Sequence, residues 1–219
     1  MSGFAPKLAV LPAAQTRLWP ELRQVPADFV LYGGTAVALW LGHRASADFD
    51  FFSTESFAPG ELRAKLLFLA EGTLLQSQPD TLTVGLDRGG PVKISFFGGL
   101  HLGRVGNLER APDNGLALAS TLDLAASKAK VITERAERKD YLDMAALLES
   151  GIKLADALGA ARALYGEQFN PMITLKALNY FGDGDLPQLP DPVKQFLSTE
   201  AAQVKTIPTI PRLSDRIAM

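Results

Sequence analysis

The chain has 219 residues, 47% of them hydrophobic, and a formal net charge of −2, enough for one medium domain or two small ones around a real core. It has no cysteine, and His43 and His101 are its only histidines, which excludes disulfides, thiolate metal centres and multi-histidine zinc sites and gives no support to a Ser-His-Asp triad. The charge balance does not advertise a nucleic-acid binder; no apolar run reaches membrane-spanning length and no signal peptide is visible, so a cytoplasmic protein away from membranes is expected.

Residues 13–22 read as a first helix, ended near Pro26. Residues 29–32, Phe-Val-Leu-Tyr, form an apolar run of strand length that stops at Gly33-Gly34. Thr35 then stands where a helix N-cap is expected, ahead of the helix-forming run 36–41. A polar connection, 43–47, leads to a strand at 48–52. Pro59-Gly60 opens a helix over 61–71, followed by strand-like runs at 73–76, 81–86 and 92–97, the last two joined by a hairpin signal at 87–90. From Thr121 the pattern is helical only: 122–134 capped by Thr121 or Asp123, 137–148, 154–168, then 170 to about 181, and a last helix over 193–204. The proline-rich tail at 207–211 is extended and either packs on the body or lies loose. This order predicts an α+β protein, with a mixed-sheet core over 1–115 and a helical domain over 116–219.

The stretch 31–52 carries the first chemistry. Glycine tolerates positive φ and lets a backbone come close to a ligand, and backbone N–H groups at a strand-to-helix corner suit a phosphate. Gly33, Gly34 and Thr35 supply that corner. Side chains alternate along a strand, so Asp48 and Asp50 share one face and Phe49 and Phe51 the other. Two carboxylates beside a phosphate-binding corner make a site for Mg²⁺, or Mn²⁺, bridging to a nucleotide. Arg44 and Ser46 are placed to face the same pocket, although Arg44 equally suits a salt bridge that merely neutralises the aspartates.

A second set lies on the helices. Lys128, Val131, Ile132 and Arg135 follow helical three-four spacing, so Lys128 and Arg135 project toward a common region, and Asp140 and Asp143 are neighbours on the next helix. Glu134 and Glu137 interleave with the basic residues, as on a solvated, salt-bridged helix face, the plainer alternative.

Together, GGTAVALWLGHRASADFDFF and SKAKVITERAERKDYLDMAALL resemble the AbiEii/AbiGii toxin family, nucleotidyltransferases of bacterial abortive-infection and toxin–antitoxin systems. The likeness covers about residues 29–150 and rests on Gly33, Gly34 and Thr35, on Asp48 and Asp50, and on Lys128, Arg135, Lys139, Asp140 and Asp143. It implies a polymerase-β-like nucleotidyltransferase core followed by a helical domain. In that reading Asp48 and Asp50 hold the metal and the triphosphate of an NTP, and the glycine corner cradles phosphates. Lys128 neutralises triphosphate charge, and Asp143 or Asp140 orients Lys128 or acts near the attacking hydroxyl. It also implies a cognate antitoxin protein and an acceptor such as tRNA.

One departure stands out. Many polymerase-β-like transferases add a third carboxylate from a later strand, whereas 91–97 offers Lys93 and Ser95 on one face and no acid. Lys93 suits either a phosphate contact or a plain sheet-edge position. The departure leaves the general base unassigned. It keeps two other readings beside an RNA-modifying toxin: a transferase acting on a small molecule, and a nucleotide-binding regulatory module without turnover.

Overall fold

In the computed structural model, which describes residues 4–218, the chain forms two compact units. Of the described residues, one unit comprises 4–103, 107–119 and 214–218; the other comprises 104–106 and 120–213. Among the described residues the architecture is α+β, a seven-stranded mixed sheet and eight α-helices.

All seven strands belong to the first unit: β1 (Val30–Tyr32), β2 (Asp48–Phe52), β3 (Thr73–Gln78), β4 (Thr81–Asp87), β5 (Pro91–Phe97), β6 (Glu109–Arg110) and β7 (Ala117–Leu118). Their order is β3-β4-β5-β2-β1-β7-β6. β2 runs antiparallel to β1 and parallel to β5, with Tyr32 opposite Asp50 and Asp50 opposite Ser95. The alternation of β2 divides the sheet into two faces. Leu31, Phe51 and Phe96 line up across three strands on the buried face, beside Phe49 and Ile94. Phe51 and Phe96 stack at 5.1 Å, and Phe29 meets Phe96 edge-on. Burial of such rings supplies about 1.5–3 kcal/mol each. That hydrophobic anchor fixes the register, because a one-residue slip would turn the phenylalanines outward and the aspartates in.

Three α-helices join this unit: α1 (Ala13–Leu18), α2 (Gly33–Leu41) and α3 (Pro59–Lys65). The expected helix over 13–22 becomes α1 plus a 3-10 turn, Trp19–Gln24, since Pro20 brings no N–H to continue an α-helix. The helix expected over 61–71 likewise ends at Lys65 and resumes as a 3-10 turn, Leu67–Leu69. In an unbroken helix Leu66 and Phe68 would point to opposite sides; the break buries Leu66, Phe68 and Leu69 and leaves only Leu67 exposed. Thr35 is not an N-cap. Gly33, at φ +70°, turns the chain straight from β1 into α2, so Tyr32 is the cap and Thr35 lies in the first turn.

The second unit holds α4 (Thr121–Ile132), α5 (Arg138–Glu149), α6 (Leu154–Tyr165), α7 (Pro171–Ala177) and α8 (Asp191–Gln203). The cap of α4 is Ser120 rather than Thr121 or Asp123: its side chain accepts from the Asp123 N–H and donates to the Asp123 carboxylate. Small residues allow close packing in the interior, with Ala125, Ala126 and Ala129 on α4 and Ala157, Ala160 and Ala161 on α6 all buried. The tail packs rather than lying loose. A Cβ at Gly159 would stand 2.4 Å from the Pro208 carbonyl oxygen, and Arg212 donates to the carbonyls of Ala163 and Leu164. Beyond Leu213 the chain enters the first unit, where Ile217 is buried and its N–H donates to Thr54.

Candidate active site

The corner between β1 and α2 and the polar face of β2 form one constellation. Gly33 has φ +70°, a region L side chains rarely adopt, and a Cβ there would lie 2.9 Å from Asp50 Oδ2. Glycine is therefore required twice, by the turn and by the carboxylate pressed against it. The first-turn N–H groups of α2 have no partner within the helix and lie at the end that carries positive dipole charge. Thr35 is buried; its hydroxyl shares a 2.8 Å hydrogen bond with Ser46 and donates to the Asp48 carbonyl. Thr35 and Ser46 thus tie the corner to the start of β2. Arg44, partly buried, donates to the Ala45 carbonyl in the same connection.

Lys93 stands opposite Asp48 on β5, and its Nζ lies 3.1 Å from Asp48 Oδ2. Both side chains are close to half exposed, 47% and 46%. Ser95, opposite Asp50, is buried and accepts a 3.4 Å hydrogen bond from Thr83. Two residues further along the same face, Phe52 stacks on Tyr32 at 5.0 Å and meets Phe97 edge-on. The alternation that placed Asp48 and Asp50 together also placed Phe52 with them, a signal legible in the sequence but not used there. Asp48 and Asp50 are hard oxygen donors on one face, and with a nucleotide's own oxygens they make the donor set that Mg²⁺ or Mn²⁺ accepts. Among the described residues no group of three or more His, Asp or Glu side chains gathers around one point.

In the second unit the helical residues close on one another. Lys128 Nζ lies 2.7 Å from Asp140 Oδ1 and 2.6 Å from Asp143 Oδ2, with both carboxylates fully buried and the lysine nearly so. Arg135 Nε reaches Asp140 Oδ2 at 2.8 Å while the side chain remains 46% exposed. Burial pushes the Asp140 carboxyl up, but the hydrogen bond from Arg135 and the charge of Lys128 outweigh it and hold the group below its ordinary value. Lys139 stands outside this cluster, exposed and paired with Glu137 at 3.0 Å.

A family model describing the AbiEii nucleotidyl transferase toxins of type IV toxin–antitoxin systems matches residues 21–207. The chain belongs to the AbiEii nucleotidyl transferase toxin family. It is a nucleotidyltransferase of the toxin–antitoxin type, and nucleotide substrate and antitoxin partner go with that membership. An uncharacterized protein of Aquifex aeolicus (strain VF5) is 33% identical over 159 residues, 71% of this chain and 75% of that one. Two solved structures share the fold. MenT4, a nucleotidyltransferase toxin from Mycobacterium tuberculosis H37Rv, superposes with a TM-score of 0.58 at 14% identity, covering 88% of this chain and 82% of its own. A candidate nucleotidyltransferase from H. pylori gives 0.57 at 15% identity, covering 86% and 92%. No helix of the described residues is long and apolar enough to cross a membrane.

Within this AbiEii chain, sequence reasoning named Asp123 only as a candidate helix cap and did not foresee its burial. It is buried, accepting from the Val105 and Gly106 N–H groups as well as Ser120. Burial raises its carboxyl, with the Ser120 hydrogen bond and the two backbone hydrogen bonds pulling the other way. The spacing Ser120-Thr121-Leu122-Asp123 is a short-armed capping pattern and could have flagged it.

Proposed function

We propose that the chain transfers a nucleotidyl group from an NTP, with Mg²⁺ or Mn²⁺, to a hydroxyl of an RNA acceptor, tRNA first among them. The observation that carries the proposal is the pressing of Asp50 against a side-chain-free Gly33, with Asp48 on the same face and the N-terminus of α2 alongside. The acceptor oxygen bonds to the α-phosphorus, the bond from that phosphorus to the bridging oxygen breaks, and the electron pair leaves with pyrophosphate. A bound divalent cation supplies charge stabilisation to the phosphates. Asp48 and Asp50 hold it, and the Gly33-Gly34-Thr35 corner receives phosphate oxygens. Lys93, half exposed beside Asp48, adds a positive charge. The hydroxyl proton leaves to solvent as the new bond forms; Ser95, across from Asp50, supplies no carboxylate to take it. In the helical unit, Lys128, Asp140 and Asp143 act by holding Arg135, whose half-exposed side chain is suited to phosphate.

A second reading, a small hydroxyl-bearing acceptor, draws on the net charge of −2, since an RNA-binding face usually brings excess Lys and Arg. Incubating the chain with each α-³²P NTP, Mg²⁺ and total bacterial RNA decides between them. Labelled tRNA-sized product with wild type, lost in Asp48→Ala/Asp50→Ala, is the expected result. Pyrophosphate release that needs a small-molecule extract and leaves RNA unlabelled would replace it with the second reading.

A further inference from the structure

The polar face of β2 is asymmetric. Asp50 lies between Tyr32 on β1 and Ser95 on β5, so neither cross-strand neighbour is a carboxylate. Neighbouring strands lie about 4.7–4.9 Å apart, so an aspartate at position 95, level with Asp50 on the adjacent parallel strand, is close enough to share a cation with it. Ser95 is instead buried, and its oxygen takes a hydrogen bond from Thr83. At the other end, Lys93 Nζ lies 3.1 Å from Asp48 Oδ2 and occupies an oxygen that a second cation would need. Two cations about 3.5–4 Å apart repel strongly and are normally held by shared carboxylates with further anionic ligands. Here the face offers two carboxylates and one ammonium.

We infer that Asp48 and Asp50 hold a single divalent cation, the one that arrives with the triphosphate, and that Lys93 and Ser95 exclude a second. The inference rests on the nucleotidyl-transfer reading above and sharpens its substrate: the chain takes a one-metal complex of an NTP, with the Lys93 ammonium supplying positive charge beside Asp48. The acceptor hydroxyl is then activated without a metal of its own.

Counting bound ions tests this without measuring turnover. The full chain, saturated with an α,β-methylene NTP analogue, is titrated with Mn²⁺ while the EPR signal of free Mn²⁺ is followed, and chelation by the analogue alone is subtracted. One equivalent per chain with an isolated-ion spectrum is expected. Ser95→Asp should bring the count to two, with an exchange-coupled spectrum. Two coupled ions in wild type would overturn the inference and leave the nucleotidyl-transfer reading intact. No Mn²⁺ beside bound analogue would overturn both the inference and the metal-dependent reading, and failure to bind the analogue at all would remove the nucleotide site itself. A folded Ser95→Asp that still holds one ion would show that Ser95 does not set the count. Should that variant not fold, Lys93→Met stands in its place: a count of one in wild type that rises to two in Lys93→Met is expected, and a count of one in both would show that Lys93 does not exclude a second ion.

Discussion

Two clusters built from the same side-chain types lie at opposite ends of exposure. Asp48 and Lys93 pair at 3.1 Å on the sheet with nearly half of each side chain in water. Lys128 is 6% exposed, and its partners Asp140 and Asp143 are wholly out of solvent. An exposed pair contributes about 0.2–1 kcal/mol and is screened by salt, so the sheet pair contributes little to holding the fold. The helical cluster has lost its hydration, and its members depend on one another. A lysine enclosed by two carboxylates is a joint between α4 and α5 before it is a phosphate ligand. Arg135 is the member that reaches water. Exposure, rather than residue type, separates the pair left open to solvent from the cluster built for support.

The sharpest way to break this comparison is to remove charges from each side and measure both stability and activity. Asp48→Ala/Asp50→Ala should lower transfer by at least about 10²–10³-fold, the scale of losing a principal charge-stabilising group, while the urea midpoint stays within the range of exposed pairs. A large loss of stability in this variant would place the sheet carboxylates with the structural class. Lys128→Met should do the reverse first, destabilising by about 3–5 kcal/mol because two buried carboxylates lose a shared counter-charge. Urea denaturation followed by circular dichroism reads it, and a change under about 1 kcal/mol would refute the support role. The same cluster has a pH signature. Asp140 is held below its ordinary value in the folded chain, so its contribution is complete above the unfolded carboxylate pKa of about 3.9 and disappears as pH falls through the folded value. Asp140→Asn should therefore be less stable than wild type at neutral pH and converge with it on acidification below that point.

Much of this contrast was legible in the sequence, and the part that was not has physical reasons. Strand alternation placed Asp48 and Asp50 on one face because Phe49 and Phe51 need the other. The types and order of Lys128, Arg135, Asp140 and Asp143 were also visible, and with the glycine corner they pointed to the family that the comparison then established. Their mutual enclosure was not visible, since it depends on how α4 packs on α5. Gly33 hid the start of α2: a positive φ lets a helix begin where a strand ends, without the usual Thr cap. The two-residue strands β6 and β7 carry no periodicity of their own and exist through pairings such as Leu31 with Leu118.

Gly33→Ala tests the corner at an intermediate scale. A non-glycine residue at φ +70° costs on the order of 1–3 kcal/mol, and the added Cβ would stand 2.9 Å from Asp50 Oδ2. Stability should fall by about that amount, and NTP binding measured by calorimetry should weaken because Asp50 has to move. Unchanged NTP affinity in a folded Gly33→Ala chain would separate the glycine corner from the carboxylate site.

The smallest expected effect is also the most discriminating. Lys93→Met keeps the stem of the side chain and removes its charge, so the loss of stability should lie below about 1 kcal/mol. The difference from wild type should shrink as salt rises, because the Debye length is about 8 Å at physiological ionic strength and about 3 Å at 1 M. Urea midpoints of both chains at low and high salt measure it. A difference that persists unscreened at high salt would mean that the Asp48–Lys93 pair behaves like the enclosed helical cluster, and the division of labour between the two clusters would fall.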